Sequence, residues 1–179
     1  MEKHFDNFDL ANFWKDSDYA RKEYVGEEPT DAMVLEIEEE LGYKLPASYV
    51  ELMHSQNGGL PESTCFPTSK SNSWAEDHVV IHGFLGIGRE KSYSLCGDLG
   101  SQFMMQEWGY PNIGIYFGDC PSAGHDMLCL DYRGCGPNGE PVVVHVDEEN
   151  DYEITHLANS FEEFVKGLVN KSQFEDIDV

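Results

Sequence analysis

The 179-residue chain carries 34 acidic residues against 11 lysines and arginines, a formal net charge of −23; such a field repels nucleic-acid phosphate and anionic membrane surfaces and speeds encounter with basic proteins. With 40% hydrophobic and 12% aromatic residues it reads as one domain burying about 70% of its unfolded surface, without internal repeats or low-complexity blocks. No run approaches the roughly 18 apolar residues of a membrane span, the charged start from Met1 to Asp6 is no secretory signal, and five cysteines without a C-x-x-C pair give neither a disulfide framework nor a zinc ribbon, so a cytoplasmic protein with reduced, mostly buried thiols is expected.

Phe5, Phe8, Phe13 and Trp14 form a short amphipathic stretch, either a first helix or an aromatic cap on the core. Residues 21–29 read as a polar connector. Thr30 or Asp31 is a suitable N-cap for a helix whose Met33, Val34, Ile37 and Leu41 recur at helical spacing, and Gly42 stops it. Pro46 opens a second helix with an apolar stripe of Tyr49, Val50, Leu52 and Met53, ended by Asn57, Gly58 and Gly59, residues that tolerate positive φ. This hairpin needs a third element to cover it. Residues 60–77 read as an irregular loop in which Trp74 is the tryptophan expected to be partly exposed.

The periodicity then changes. Residues 79–87 are β-branched and apolar, as in a buried strand, with Gly83 and Gly86 marking a bulge or bend. Residues 94–108 allow one helix with Leu99, Phe103 and Met104 inward, Trp108 inside and Gly109 as its stop. Ile113, Ile115 and Phe117, then Leu128, Leu130 and Tyr132, give two strands by alternation. A turn at 136–139 leads into the clearest strand, 141–146, and Tyr152, Ile154 and His156 suggest a last one in a second hairpin. Ser160 with Glu163 is a capping-box pattern opening a helix that carries Phe161, Phe164, Val165 and Leu168. The expected fold is α+β: a central, mostly antiparallel sheet braced by N-terminal helices and a C-terminal helix. Residues 1–29 form an N-terminal extension, 30–170 the domain and 171–179 an acidic, frayed tail holding Glu175, Asp176 and Asp178.

Chemistry-bearing side chains are densest between two predicted strands: Asp119, Cys120, Ser122, His125 and Asp126. A hydrolase would use Cys120 or Ser122 as nucleophile, His125 as base and Asp119 or Asp126 to orient it. Groups so close in sequence seldom reach the required separations, and a tight glycine-rich hairpin loop is the plainer reading. For a metal, His125, Asp126 and Asp131 offer donors, as does the acidic turn 147–151, which lacks the glycine and spacing of an EF-hand. The reading adopted has no catalytic residue, cofactor or metal. Between Ser92 and Val165 the only basic residue is Arg133, set among thirteen acids, so the strand-rich half is the candidate partner surface: Trp74, Asp119, His125, Asp126, Asp131, Asp147, Glu148, Glu149 and Asp151.

The hairpin LGYKLPASYVELMHSQNGG, the GFLGIG strand, the segment IGIYFGDCPSAGHDMLCLDYR, the strand PVVVHVDEE and the helix SFEEFV together resemble the SUKH superfamily, which holds the fungal Smi/Knr cell-wall synthesis regulator and many bacterial immunity proteins. The resemblance covers about residues 30–168 and rests on the order and spacing of the pieces. It implies an α+β binding module without catalysis, in bacteria one that neutralises a cognate toxin, often a nuclease or deaminase. It brings no catalytic residues. A basic, nuclease-type toxin is the partner that the charge favours; a regulatory or scaffold protein without a toxin is the alternative, and a Cys/His hydrolase a third.

Overall fold

The computed structural model describes residues 3–174. Thr30 accepts from the Met33 N–H and opens helix α2 (Asp31–Leu41), and Gly42 at φ 82° ends it in the left-handed conformation that a glycine adopts without strain. Pro46 stands immediately before helix α3 (Ala47–Ser55). Helices this short are marginal alone; burial of Ile37, Tyr49, Leu52 and Met53 holds them in place.

What they cover is a five-stranded antiparallel meander of β3 (Gly83–Phe84), β4 (Gly114–Asp119), β5 (Asp126–Asp131), β6 (Val142–Asp147) and β7 (Glu153–Ala158), each strand beside the next in sequence. One face presents Ile115, Phe117, Leu128, Leu130 and Val143 to α3 and to helix α5 (Phe161–Gly167), whose Phe161 and Phe164 are fully buried. The other face presents Tyr116, Met127, Cys129, Val144 and Val146 to Met104 of helix α4 (Ser101–Glu107) and to Tyr110. Both faces are therefore dry. Ser160 caps α5 by accepting from the Glu163 N–H, while the Glu163 carboxylate reaches back to the Asn159 N–H.

Four segments differ from their sequence reading. The polar connector at 21–29 begins inside helix α1 (Asp18–Glu23) and contains Tyr24, which is fully buried, stacked on Tyr93 at 4.5 Å and hydrogen-bonded through its hydroxyl to Asp119. The loop 60–77 holds a strand, β1 (Cys65–Pro67), that pairs with β2 (His78–Val80) in a second small sheet. The single strand read over 79–87 is thus divided between two sheets. The helix read over 94–108 is only α4, because Leu95 turns into the core and Gly97 and Gly100 fold the chain back on Ser92, Ser94 and Leu95; a Cβ on Gly100 would sit 2.5 Å from the Ser94 carbonyl oxygen.

The end of the hairpin does more than tolerate positive φ. Gly58 and Gly59 have it, but Asn57 is buried and its side chain knits three segments: Nδ2 donates to the carbonyls of Glu27 (2.8 Å) and Ile87 (2.9 Å), and Oδ1 accepts from the Ile87 N–H at 2.7 Å. Gly59 then exchanges two backbone hydrogen bonds with Phe84, covering the outer edge of β3. Phe5 and Phe13 lie in the same core as an aromatic cap, the second of the two readings for that stretch. At the other end, Ser172 to Phe174 are not frayed: a 3₁₀ turn at Lys171–Gln173 brings Phe174 against His78 at 4.1 Å. Glu175, Asp176 and Asp178 lie outside the described residues.

Candidate functional site

The β4–β5 and β6–β7 connections meet at one end of the sheet. Ala123 (φ 59°) and Gly124 (φ 103°) make the first turn tight; the second is a 3₁₀ turn at Glu148–Asn150 followed by Asp151 (φ 51°) and Tyr152 (φ 59°). The Glu148 N–H donates to the His125 carbonyl at 3.1 Å and joins the two turns. On their exposed side, His125 Nδ1 lies 3.0 Å from Glu148 and 2.8 Å from Glu149. The hydrogen bond to Glu148, followed by the charge of Glu149, raises the His125 pKa, so the ring takes up a proton more readily than a free histidine. The Trp108 indole stands edge-on to this ring, centroids 5.0 Å apart. Trp108 is only half-buried, at the margin of the apolar layer of Met104, Tyr116 and Met127 rather than inside it, with Gly124 and His125 against its ring.

Behind the rim, on the sheet face that α3 and α5 cover, the acids are buried. Asp126 (4% exposed) and Asp147 (2%) are register partners on β5 and β6. Asp126 Oδ2 lies 2.7 Å from Nε2 of His145 (1% exposed), and its Oδ1 accepts from the Ser122 hydroxyl. Asp147 Oδ2 accepts from the Ser73 N–H at 2.9 Å and from its hydroxyl at 2.8 Å, which ties the 68–77 segment to the sheet end. Asn72 fixes the same segment, since its Oδ1 accepts from the N–H groups of Trp74 and Ala75 and its Nδ2 donates to the His78 carbonyl. Trp74 is thus held outward, 45% exposed, on the wall of a cavity of about 190 Å³ lined also by His78, Ser122 and Asp126.

The structure sets Trp74 beside Asp126 and, through Ser73, on a segment tied to Asp147, and it gathers His125 with Glu148 and Glu149 in the joined turns, with Asp151 exposed in the second of them. Two residues stand apart. Asp119 turns to Tyr24, which donates to both its oxygens at 2.8 and 2.9 Å, and to His82 at 3.2 Å, raising the His82 pKa chiefly by that hydrogen bond. Asp131 closes the opposite end of β5, where burial works to raise its pKa and the Arg133 hydrogen bonds outweigh it, leaving it lowered. His125, Asp126 and Asp131 consequently cannot share a metal. Nor is the hydrolase arrangement assembled: His125 faces Glu148 and Glu149, and Cys120 is buried with its thiol pushed up, first by burial and then by Asp126, the reverse of what a nucleophile requires.

Sequence reading missed His145, Ser73 and Asn57. A histidine inside an all-valine strand is a buried polar group that needs a partner, and Val143, His145 and Asp147 share a parity along β6; that signal was available. A second, larger cavity of about 540 Å³ lies away from these acids, between α2, Asn57 and the 86–91 loop, with Glu27, Glu36, Arg89 and Lys91 on its walls. Among the described residues no helix is long and apolar enough to cross a membrane.

A small antiparallel meander covered on both faces by short helices defines an α+β fold. The chain matches the family model described as SUKH_6: SMI1-KNR4 cell-wall over residues 31–165 and belongs to that family. The match begins where α2 does, whereas packing into the core begins at Phe5. No curated protein matches the sequence.

Proposed function

We propose that this protein is a non-enzymatic immunity protein that neutralises a basic, nuclease-type toxin by direct binding, using the sheet end built from Trp74, His125, Glu148, Glu149 and Asp151. The observation that carries the reading is the pairing of a clamped, exposed indole with a rim of carboxylates. Aromatic anchors dominate binding hot spots, and surrounding charges steer a complementary partner and set its association rate. Asp126 and Asp147 support the rim from beneath, while Asp119 and Asp131 serve the fold. Membership of the family fits such a role.

Calorimetry with the product of the neighbouring gene tests the proposal. Binding should weaken steeply with salt, and Trp74→Ala should cost about 2 kcal/mol or more, roughly 30-fold in affinity. A Glu148→Lys, Glu149→Lys double variant should slow association. No binding, or binding indifferent to salt, would sink the reading. A regulatory interaction without a toxin is the second reading, and the observation for it is the larger cavity: Arg89 stands on its wall in ion pairs with Glu36 and Glu40 of α2, a helix that also exposes Leu35. In that case Arg89→Glu, and not Trp74→Ala, would abolish partner binding.

A further inference from the structure

We propose that Cys120, Asp126 and His145 form a buried site for a divalent d-block cation of the zinc class, entered from the cavity beside Trp74. One donor atom from each, a thiol sulfur, a carboxylate oxygen and an imidazole nitrogen, lies within 4.8 Å of the other two. A mixed sulfur, nitrogen and oxygen set suits Zn²⁺ and excludes the oxygen-seeking Mg²⁺ and Ca²⁺. The three side chains come from the β4–β5 turn, β5 and β6, so the fold and not one local motif assembles them.

Four further observations point to an occupant. First, His145 Nδ1 and, on the register partner of Asp126, Asp147 Oδ1 are both buried without a hydrogen-bond partner, a rare condition in folded proteins. Second, two carboxylates are buried here with no lysine or arginine in ion-pair reach among the described residues, His145 alone meeting Asp126; buried anions call for a cation. Third, a supporting contact of the kind metal ligands require is present, since Ser122 holds Asp126. Fourth, Ser122 and Asp126 line the small cavity, which supplies an entry path. Uptake exchanges protons for metal without any redox step: the Cys120 thiol gives its proton to solvent as the Zn–S bond forms.

The test uses the full chain stripped with a chelator and titrated with Co²⁺ and then Zn²⁺. Co²⁺ should give a thiolate-to-cobalt charge-transfer band saturating at one equivalent, and Zn²⁺ at a hundredfold above its dissociation constant should raise the folded-to-unfolded ratio about 100-fold. Cys120→Ser should abolish the band and Cys135→Ser, at an exposed thiol, should leave it intact. Should Cys120→Ser fail to fold, the ring nitrogens of the wild-type chain decide by NMR: Zn²⁺ must shift His145. The proposal is overturned if no band forms and Zn²⁺ leaves stability unchanged, as a buried water in place of the metal would give. It is equally overturned if the band survives Cys120→Ser, or if Zn²⁺ shifts only His125, which would place the ion on the exposed His125, Glu148 and Glu149 group.

Discussion

The two aspartates that close strand β5 are buried almost equally, Asp126 at 4% and Asp131 at 6% exposure, yet they are satisfied in opposite ways. Asp131 is met by its neighbour two residues on: Arg133 donates to it from its backbone N–H at 3.0 Å, from Nε at 3.0 Å and from its guanidinium at 2.8 Å. Asp126 receives no cation of that kind. It depends on Ser122 and on His145 from the next strand, and Asp147 beside it keeps one oxygen without a partner. The first end of the strand is complete as it stands. The second keeps a buried acceptor unmet, and it is there that we propose a partner on the outer side and an ion on the inner.

The sharpest way to break this contrast is Asp126→Ala. It strands His145 with neither ring nitrogen partnered in the interior, and it should cost about 2–3 kcal/mol in a urea titration. Asp131→Asn should cost less, about 1 kcal/mol, because Arg133 is more than half exposed and water takes over its donors. Equal losses would show that the two ends are alike. The Asp131 variant also carries a pH signature. A carboxyl whose folded pKa is lowered stabilises above its unfolded value and loses that contribution as pH falls through the folded one, so Asp131→Asn should flatten the acid limb of the stability profile. The smallest effect belongs to the rim. The His125 pKa is raised, so its contribution is complete below the unfolded value near 6.5 and fades as pH rises through the folded one. His125→Gln should remove that slope on the neutral side, read by thermal melts across pH, and leave the acid limb alone.

The same contrast explains what the sequence could tell. Thr30, Gly42 and Pro46 mark the hairpin by local chemistry, Ser160 and Glu163 mark α5, and the valines of β6 announce their strand, so each of these elements was legible. The order of β4 to β7 followed from turns between alternating runs, whereas β3 reaches β4 only across residues 85–113, which hold α4. Tyr24 was not legible, because its burial depends on Asp119 and Tyr93, far along the chain. Asn57 reads as a turn residue until Glu27 and Ile87 arrive on either side of it. At the site, the rim acids Glu148 and Glu149 stood out by composition, whereas which aspartates face inward is fixed by strand parity and by a segment, 68–77, with little pattern of its own.

The closure of Gly59 on Phe84 has a bearing on how the chain is made. Synthesis delivers the N-terminus first, so α2 and α3 leave the ribosome before any residue of the sheet they cover, and helices of this length do not persist unsupported. The meander, whose strands pair with their sequence neighbours, is the part able to form quickly once made. The first 60 residues must therefore wait, apolar stripes uncovered, for a surface that begins at Phe84 and is finished only with Phe161 and Phe164. During that interval the edge of β3 has no cover either, and the hairpin that arrives to seal it is a lid fitted after the box.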